Sequence, residues 1–102
     1  MLDKIKLDLR ISNSAYDEEI TDLIEACKLD LTISGVASSL IIEDDPLIIQ
    51  AIKTYCKAYF GYDNSDSEKL KDSYSLLKQH LSIAYAKDDD SIQELIHPKE
   101  EE

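Results

Sequence analysis

Apolar residues recur along this chain at the three- and four-residue spacing of amphipathic helices, and the pattern predicts four of them. The first is short, about residues 2–10. The second follows Ser14, which forms a capping-box pattern with Asp17, and it runs to about Ser34. Gly35 then fits the left-handed residue that ends many helices. No polar–apolar alternation is long enough to predict a strand.

The third helix follows a linker over residues 36–44. Asp45 is its predicted N-cap, and Pro46 takes the first helical position, where the missing N–H costs nothing. We expect this helix to reach Phe60 and to stop at Gly61.

The fourth helix begins after Ser65 and Glu68, a second capping-box pattern, and ends near Lys87. The remaining residues, 88–102, are mostly charged and are expected to be flexible. The sequence therefore predicts an all-α fold, a compact bundle of about four helices over residues 1–87 with a flexible acidic C-terminal tail.

The third predicted helix has an unusually wide apolar face. At 3.6 residues per turn its strongly polar residues fall within roughly 100° of one another, and they are Gln50, Lys53, Thr54 and Lys57. A helix packed on one side of a small bundle needs only about a third of its surface apolar. Either this helix is central and wrapped by the other three, or another subunit completes its surface.

The second and fourth helices also carry apolar residues outside their main stripes. A second apolar strip on three of four helices indicates an interface with another subunit. The predicted subunit-interface residues are Leu29, Ile33, Leu47, Ala51, Ala58, Leu76 and Ile83.

The charge balance excludes several classes of partner. The chain has 102 residues, enough for one domain, with 22 acidic residues against 11 basic ones and a net charge of −11. Sequence-specific nucleic-acid binding relies on Lys and Arg, so it is not expected, and anionic membrane surfaces are disfavoured for the same reason. No apolar run approaches the roughly 20 residues that a membrane span needs. Cys27 and Cys56 lie at apolar helical positions, which predicts reduced, buried thiols in a cytoplasmic protein.

Candidate chemistry is sparse. The segment DNSDSEKLKDSY, residues 63–74, superficially resembles a calcium loop but has Glu68 at the sixth place and Tyr74 at the twelfth. Cys27, Cys56 and His80 include no close ligand pair, and a structural zinc site needs four ligands. No nucleophile motif or glycine-rich phosphate loop is present. We expect no enzymatic activity, no cofactor and no metal.

Four segments carry a resemblance to a known family. In order they are LDLRIS followed by YDEEITDLIEACKLDL, then DPLIIQAIKTYCKAYFG, then EKLKDSYSLLKQHLS. In this order and spacing they resemble the tailed-phage head–tail connector (adaptor) family, also labelled phage DNA-packaging protein. The resemblance covers roughly residues 2–86.

The resemblance implies a structural role in phage or prophage virion assembly. Such connectors form a ring of about a dozen copies beneath the portal, extend the DNA channel and carry the next connector or the tail. The implied partners are sister copies, the portal protein and the next head-completion or tail protein. The implied location is the virion neck, after synthesis in the bacterial host cytoplasm. The family has no catalytic residues.

Further roles for named residues follow from this resemblance. Acidic residues on the second helix could line a channel wall that repels DNA phosphate, or they could only keep the protein soluble; these are Glu18, Asp22 and Glu25. The apolar residues that could contact the portal are Tyr62, Ile92, Leu95 and Ile96. Tyr62 could equally complete a packed helical hairpin, and the other three could belong to a frayed terminus.

A second class of function stays open from the sequence. A small acidic helical protein could act as an inhibitor or regulator that mimics the charge of DNA. That hypothesis explains the net charge of −11, but it gives no account of the surplus apolar strips.

Overall fold

The computed structural model describes residues 1–60 and 66–86. This part of the chain contains four α-helices: α1 (Leu2–Leu9), α2 (Asp17–Ile33), α3 (Pro46–Tyr59) and α4 (Ser67–Ala84). A 3₁₀ turn, Ser38–Leu40, lies between α2 and α3, and the only pairing outside the helices in these ranges is a single bridge between Val36 and Ala86. The predicted all-α fold with a short first helix is confirmed.

The start of α2 differs from the sequence prediction. The helix begins at Asp17 with Tyr16 as N-cap, and no side chain caps it, so the predicted capping box of Ser14 with Asp17 is wrong. The side chain of Asn13 accepts a hydrogen bond from the Ala15 N–H at 2.9 Å and forms the turn that precedes the helix. The acidic residues in the first turn of α2 are stabilised by the positive end of the helix dipole.

The predicted end of α2 and the predicted start of α3 agree with the structure. Gly35 has φ 109° just after α2, a conformation that L side chains rarely adopt. The Asp45 carboxylate accepts hydrogen bonds from the backbone N–H groups of Leu47, at 2.8 Å, and Ile48, at 3.2 Å. Helix α3 ends at Tyr59, one residue earlier than predicted.

The predicted cap of α4 is only partly within the described residues. The helix begins at Ser67 with Asp66 as N-cap. Ser65, the predicted cap, lies outside the described ranges, and so does the acidic tail, residues 88–102.

The helices alternate in direction. Lys57 near the end of α3 pairs with Asp8 near the end of α1 at 3.5 Å, so these two helices end together. Tyr85, after α4, donates a hydrogen bond to Asp45 at 2.7 Å and accepts one from the Ala37 N–H at 2.8 Å. We call the end where α3 begins and α2 and α4 finish the upper end, and the opposite end the lower end.

Helix α3 is the central helix, because its contacts with α4 and with α2 are the two most extensive between helices in the described residues, and it also packs against α1. Ala51 is fully buried and Ala58 is 7% exposed, so their predicted role as surplus apolar surface is wrong. Even Thr54, which belongs to the polar stripe, is buried, and its hydroxyl donates to the Gln50 carbonyl at 2.8 Å. The partner helices, and not another subunit, cover most of the apolar circumference of α3.

The two cysteines are free thiols in the core. Burial raises the pKa of Cys27 and of Cys56 to about 12. Because the thiolate is the reactive form of cysteine, both side chains are chemically quiet at neutral pH.

Candidate interaction surface

Large apolar side chains remain exposed on this small bundle. Five of the seven predicted interface residues are among them, with exposed fractions of 60% for Leu29, 73% for Ile33, 45% for Leu47, 61% for Leu76 and 80% for Ile83. Isolated exposed apolar residues are ordinary, whereas groups of them on one face mark interaction sites. Their arrangement on each helix therefore matters more than their number.

The outer face of α2 carries one continuous strip. Its members are spaced three or four residues apart, fall within about 80° of the helix circumference and are all exposed. We call them the α2 strip: Glu18, Asp22, Glu25, Leu29 and Ile33. The strip is acidic towards the lower end of the bundle and apolar towards the upper end. The channel candidates and the interface candidates of α2 thus share one surface.

A second surface combines α3 and α4. Lys57 and Lys69 line the same surface cavity, together with Asp66, Leu70 and Ser73, so the lower parts of the two helices are adjacent. The Tyr85–Asp45 hydrogen bond holds the upper parts together. We call the exposed and half-buried residues here the α3/α4 surface: Leu47, Lys53, Lys57, Lys69, Leu76 and Ile83. Its basic part is the lower half of α3, with Lys53 and Lys57, whereas Lys69 lies among the exposed acidic residues Glu68 and Asp72 of α4. Its upper end is apolar.

Polar contacts fix the two surfaces relative to each other. Tyr74 of α4 donates a hydrogen bond to an Asp30 carboxylate oxygen of α2 at 2.6 Å, and Lys78 donates to the same oxygen at 3.0 Å. Burial and the bond to Asp30 raise the pKa of Tyr74, which therefore keeps its proton. The Tyr85 hydroxyl, followed by the two backbone N–H groups, lowers the pKa of Asp45 and keeps it ionised. The position of α4 is thus set from both α2 and α3.

Other exposed apolar residues were missed from the sequence: Leu7, Tyr16, Leu40, Ile42 and Tyr59. Leu40 and Ile42 lie in the connection between α2 and α3, where no helical period exists to show which side faces outward. Tyr16 packs edge-on against the Phe60 ring, with centroids 5.4 Å apart. That contact ties the start of α2 to the end of α3. Phe60 therefore serves packing at the lower end.

Four predicted contact residues lie outside the described residues: Tyr62, Ile92, Leu95 and Ile96. Within residues 1–60 and 66–86, no group of three or more His, Cys, Asp or Glu side chains is placed to hold a metal ion. In the same ranges, no helix is both long and apolar enough to cross a membrane.

Comparison with known proteins gives a match to a family model. The model of a family described as "Phage connector protein" matches residues 1–88. The matched range includes all four helices and both surfaces described above. No curated protein and no solved structure matches the chain.

Proposed function

This chain belongs to the phage connector protein family, and we propose that it is a non-catalytic head–tail connector subunit. Family membership indicates the general role, a connector that contacts other virion proteins and belongs to the virion neck. In our proposal the chain assembles as a ring beneath the portal, extends the DNA channel and joins head to tail after DNA packaging.

One observation on this chain supports the ring. A subunit in a closed ring meets its two neighbours through two different surfaces, because head-to-tail contacts are heterologous. The α2 strip and the α3/α4 surface are two such surfaces, and each carries apolar side chains that are 45–80% exposed. Burying apolar area stabilises an association by about 25 cal/mol per Å² before the costs of assembly.

The acidic composition supports the channel part of the proposal. A net charge of −11 per copy gives a ring a strongly negative field, and a negative wall repels DNA phosphate instead of gripping it. Glu18, Asp22 and Glu25 remain candidates for that wall. Because they share a strip with Leu29 and Ile33, a sister copy that covered the strip would keep these acidic residues from facing the channel.

The portal and the next head-completion or tail protein are the proposed axial partners. Tyr62, Ile92, Leu95 and Ile96 stay the predicted portal contacts.

The proposal is tested by mixing the purified chain with the portal protein of the same phage and measuring the mass of the complex by light scattering. We expect several copies of the chain per portal oligomer, seen as a ring by electron microscopy. Incubation of the chain alone over a range of concentrations shows whether the portal is needed to start the ring. A failure to bind the portal, combined with one-to-one binding to a nuclease or repressor, would favour the DNA-mimic hypothesis instead.

A further inference from the structure

We infer that the α2 strip of one copy docks on the α3/α4 surface of the next copy, lower end beside lower end. The acidic part of one surface then meets the basic part of the other, and the two apolar parts meet above them. This inference rests on the ring proposed above and specifies which surfaces close it.

Charge complementarity is the first support. Helix α2 has six acidic residues and one lysine, a net charge of −5, whereas α3 carries Lys53 and Lys57 and no acidic residue. Lys69 adds one basic residue at the start of α4, where the exposed Asp66, Glu68 and Asp72 are acidic. In a chain of net charge −11 these lysines are the natural partners for the acidic part of the α2 strip. Opposite potentials across an interface fix its register and disfavour wrong partners.

The order of residues along the two surfaces is the second support. From the lower to the upper end, the α2 strip runs from Glu18 to Ile33, acidic and then apolar. Over the same direction α3 runs from Lys57 and Lys53 to Leu47, basic and then apolar. The exposed face of α4 is mixed in charge at its lower end, with Glu68, Lys69 and Asp72, and then apolar at Leu76 and Ile83. In a ring of many copies the rotation between neighbours is small, so lower ends face lower ends. Charged residues therefore meet charged residues and apolar residues meet apolar residues when both copies have the same orientation.

The directions of the surfaces are the third support. The core residues of α2, such as Ile24 and Leu31, lie on the side of the helix opposite the α2 strip. Because α2 packs on α3, the strip points away from α3. On α3, Ala51 lies on the side of α2, since its carbonyl oxygen accepts from the Cys27 thiol at 4.0 Å. Lys53 and Lys57 lie about 160° and 120° round the helix from Ala51. The two surfaces therefore face away from each other, as a head-to-tail chain of copies requires.

Charge reversal separates this contact from other uses of the same residues. Variant A carries Glu18→Lys and Asp22→Lys on the α2 strip. Variant B carries Lys53→Glu and Lys69→Glu on the α3/α4 surface, and it keeps Lys57 because that residue pairs with Asp8. Circular dichroism and thermal melting of each variant check that the bundle still folds.

Assembly is measured with the portal protein by light scattering, for A, B and their equimolar mixture. We expect A alone and B alone each to need at least tenfold higher concentration for ring formation, because like charges then face each other. In an alternating ring of A and B, the introduced lysines of A meet the introduced glutamates of B, and the native acidic strip of B meets the native lysines of A. We therefore expect assembly within threefold of the wild type. A single chain with all four substitutions should assemble equally well.

Other outcomes overturn the inference. If A and B assemble as the wild type does, the ring forms without this contact between copies, and the acidic residues serve the channel wall or solubility. If A loses portal binding but still forms rings, the portal covers the α2 strip. If mixing folded A and B restores nothing, the two surfaces do not meet. If the wild type forms no ring, the proposed function fails together with the inference.

Discussion

Replacing Ile52 by alanine is expected to lower the free energy of unfolding by about 2–5 kcal/mol, among the largest costs of any single substitution in this chain. Ile52 is fully buried on α3 and belongs to the core cluster that all four helices share. Removing its side chain beyond Cβ leaves a cavity that neighbouring helices can fill only in part. Urea unfolding followed by circular dichroism measures the loss.

The matched control is Ile83→Ala on α4, whose side chain is 80% exposed. This change should alter stability by no more than about 0.5 kcal/mol. Equal costs at the two positions would contradict the burial pattern, and a small cost at Ile52 would show that α3 is not the central helix.

The double substitution Leu29→Asp/Ile33→Asp is expected to abolish ring formation without unfolding the bundle. Both side chains are exposed in one copy, so aspartate there stays solvated. Its unfavourable interaction with the negative end of the α2 dipole costs only about 1 kcal/mol or less at each site. In the proposed contact between copies the carboxylates would be buried against apolar groups, which costs roughly 2 kcal/mol or more for each group. We expect at least a hundredfold loss of assembly, measured by light scattering of the chain with the portal protein.

Leu7→Asp provides the control for that loss. Leu7 is 80% exposed on α1 and belongs to neither surface, so this variant should assemble as the wild type does. If both variants assembled normally, the exposed apolar residues of α2 would have no role between copies. If Leu7→Asp were equally damaging, any added negative charge would explain the effect.

Local sequence chemistry was enough to predict much of the fold. Asp45 and Pro46 mark the start of α3 because the cap is formed within four residues of chain. The helical period alone placed Leu29 and Leu76 on outward faces, since these helices each pack on one side only. Ser14 is not the cap because the chain makes a turn before the helix, in which the Asp17 N–H donates to the Ser14 backbone carbonyl at 3.2 Å, and Tyr16 becomes the N-cap.

Burial of α3 could not be predicted from its own residues. An amphipathic pattern shows which side of a helix is apolar, but the number of neighbours that cover that side depends on the other helices. Ala51 and Ala58 therefore read equally well as core or as interface, and the packing makes them core. Small side chains at these positions let neighbouring helices approach closely.

The spacing of its residues places the whole α2 strip on one face, but their side-chain chemistry suggests two separate roles. Glu18, Asp22 and Glu25 were assigned to a channel wall, and Leu29 and Ile33 to a subunit contact. Their intervals of three and four residues place them on one face of one helix. A surface with charge at one end and apolar groups at the other is typical of an interface with a defined register.

Cross-linking between single introduced thiols tests the contact between copies most directly. The native cysteines do not interfere, because both are fully buried and burial raises the pKa of each thiol to about 12, which leaves little thiolate at pH 8. The variants are Leu29→Cys, Leu76→Cys and the double substitution, each assembled with the portal protein and treated with a short bismaleimide.

The double variant should give a ladder of covalent oligomers on a denaturing gel, because Cys at 29 of each copy meets Cys at 76 of the next. Each single variant should stay monomeric, since its thiol faces a side chain that is not cysteine. Efficient dimers from Leu29→Cys alone would mean that α2 pairs face-to-face with itself, and an absent ladder in the double variant would mean that sister copies do not cover these surfaces.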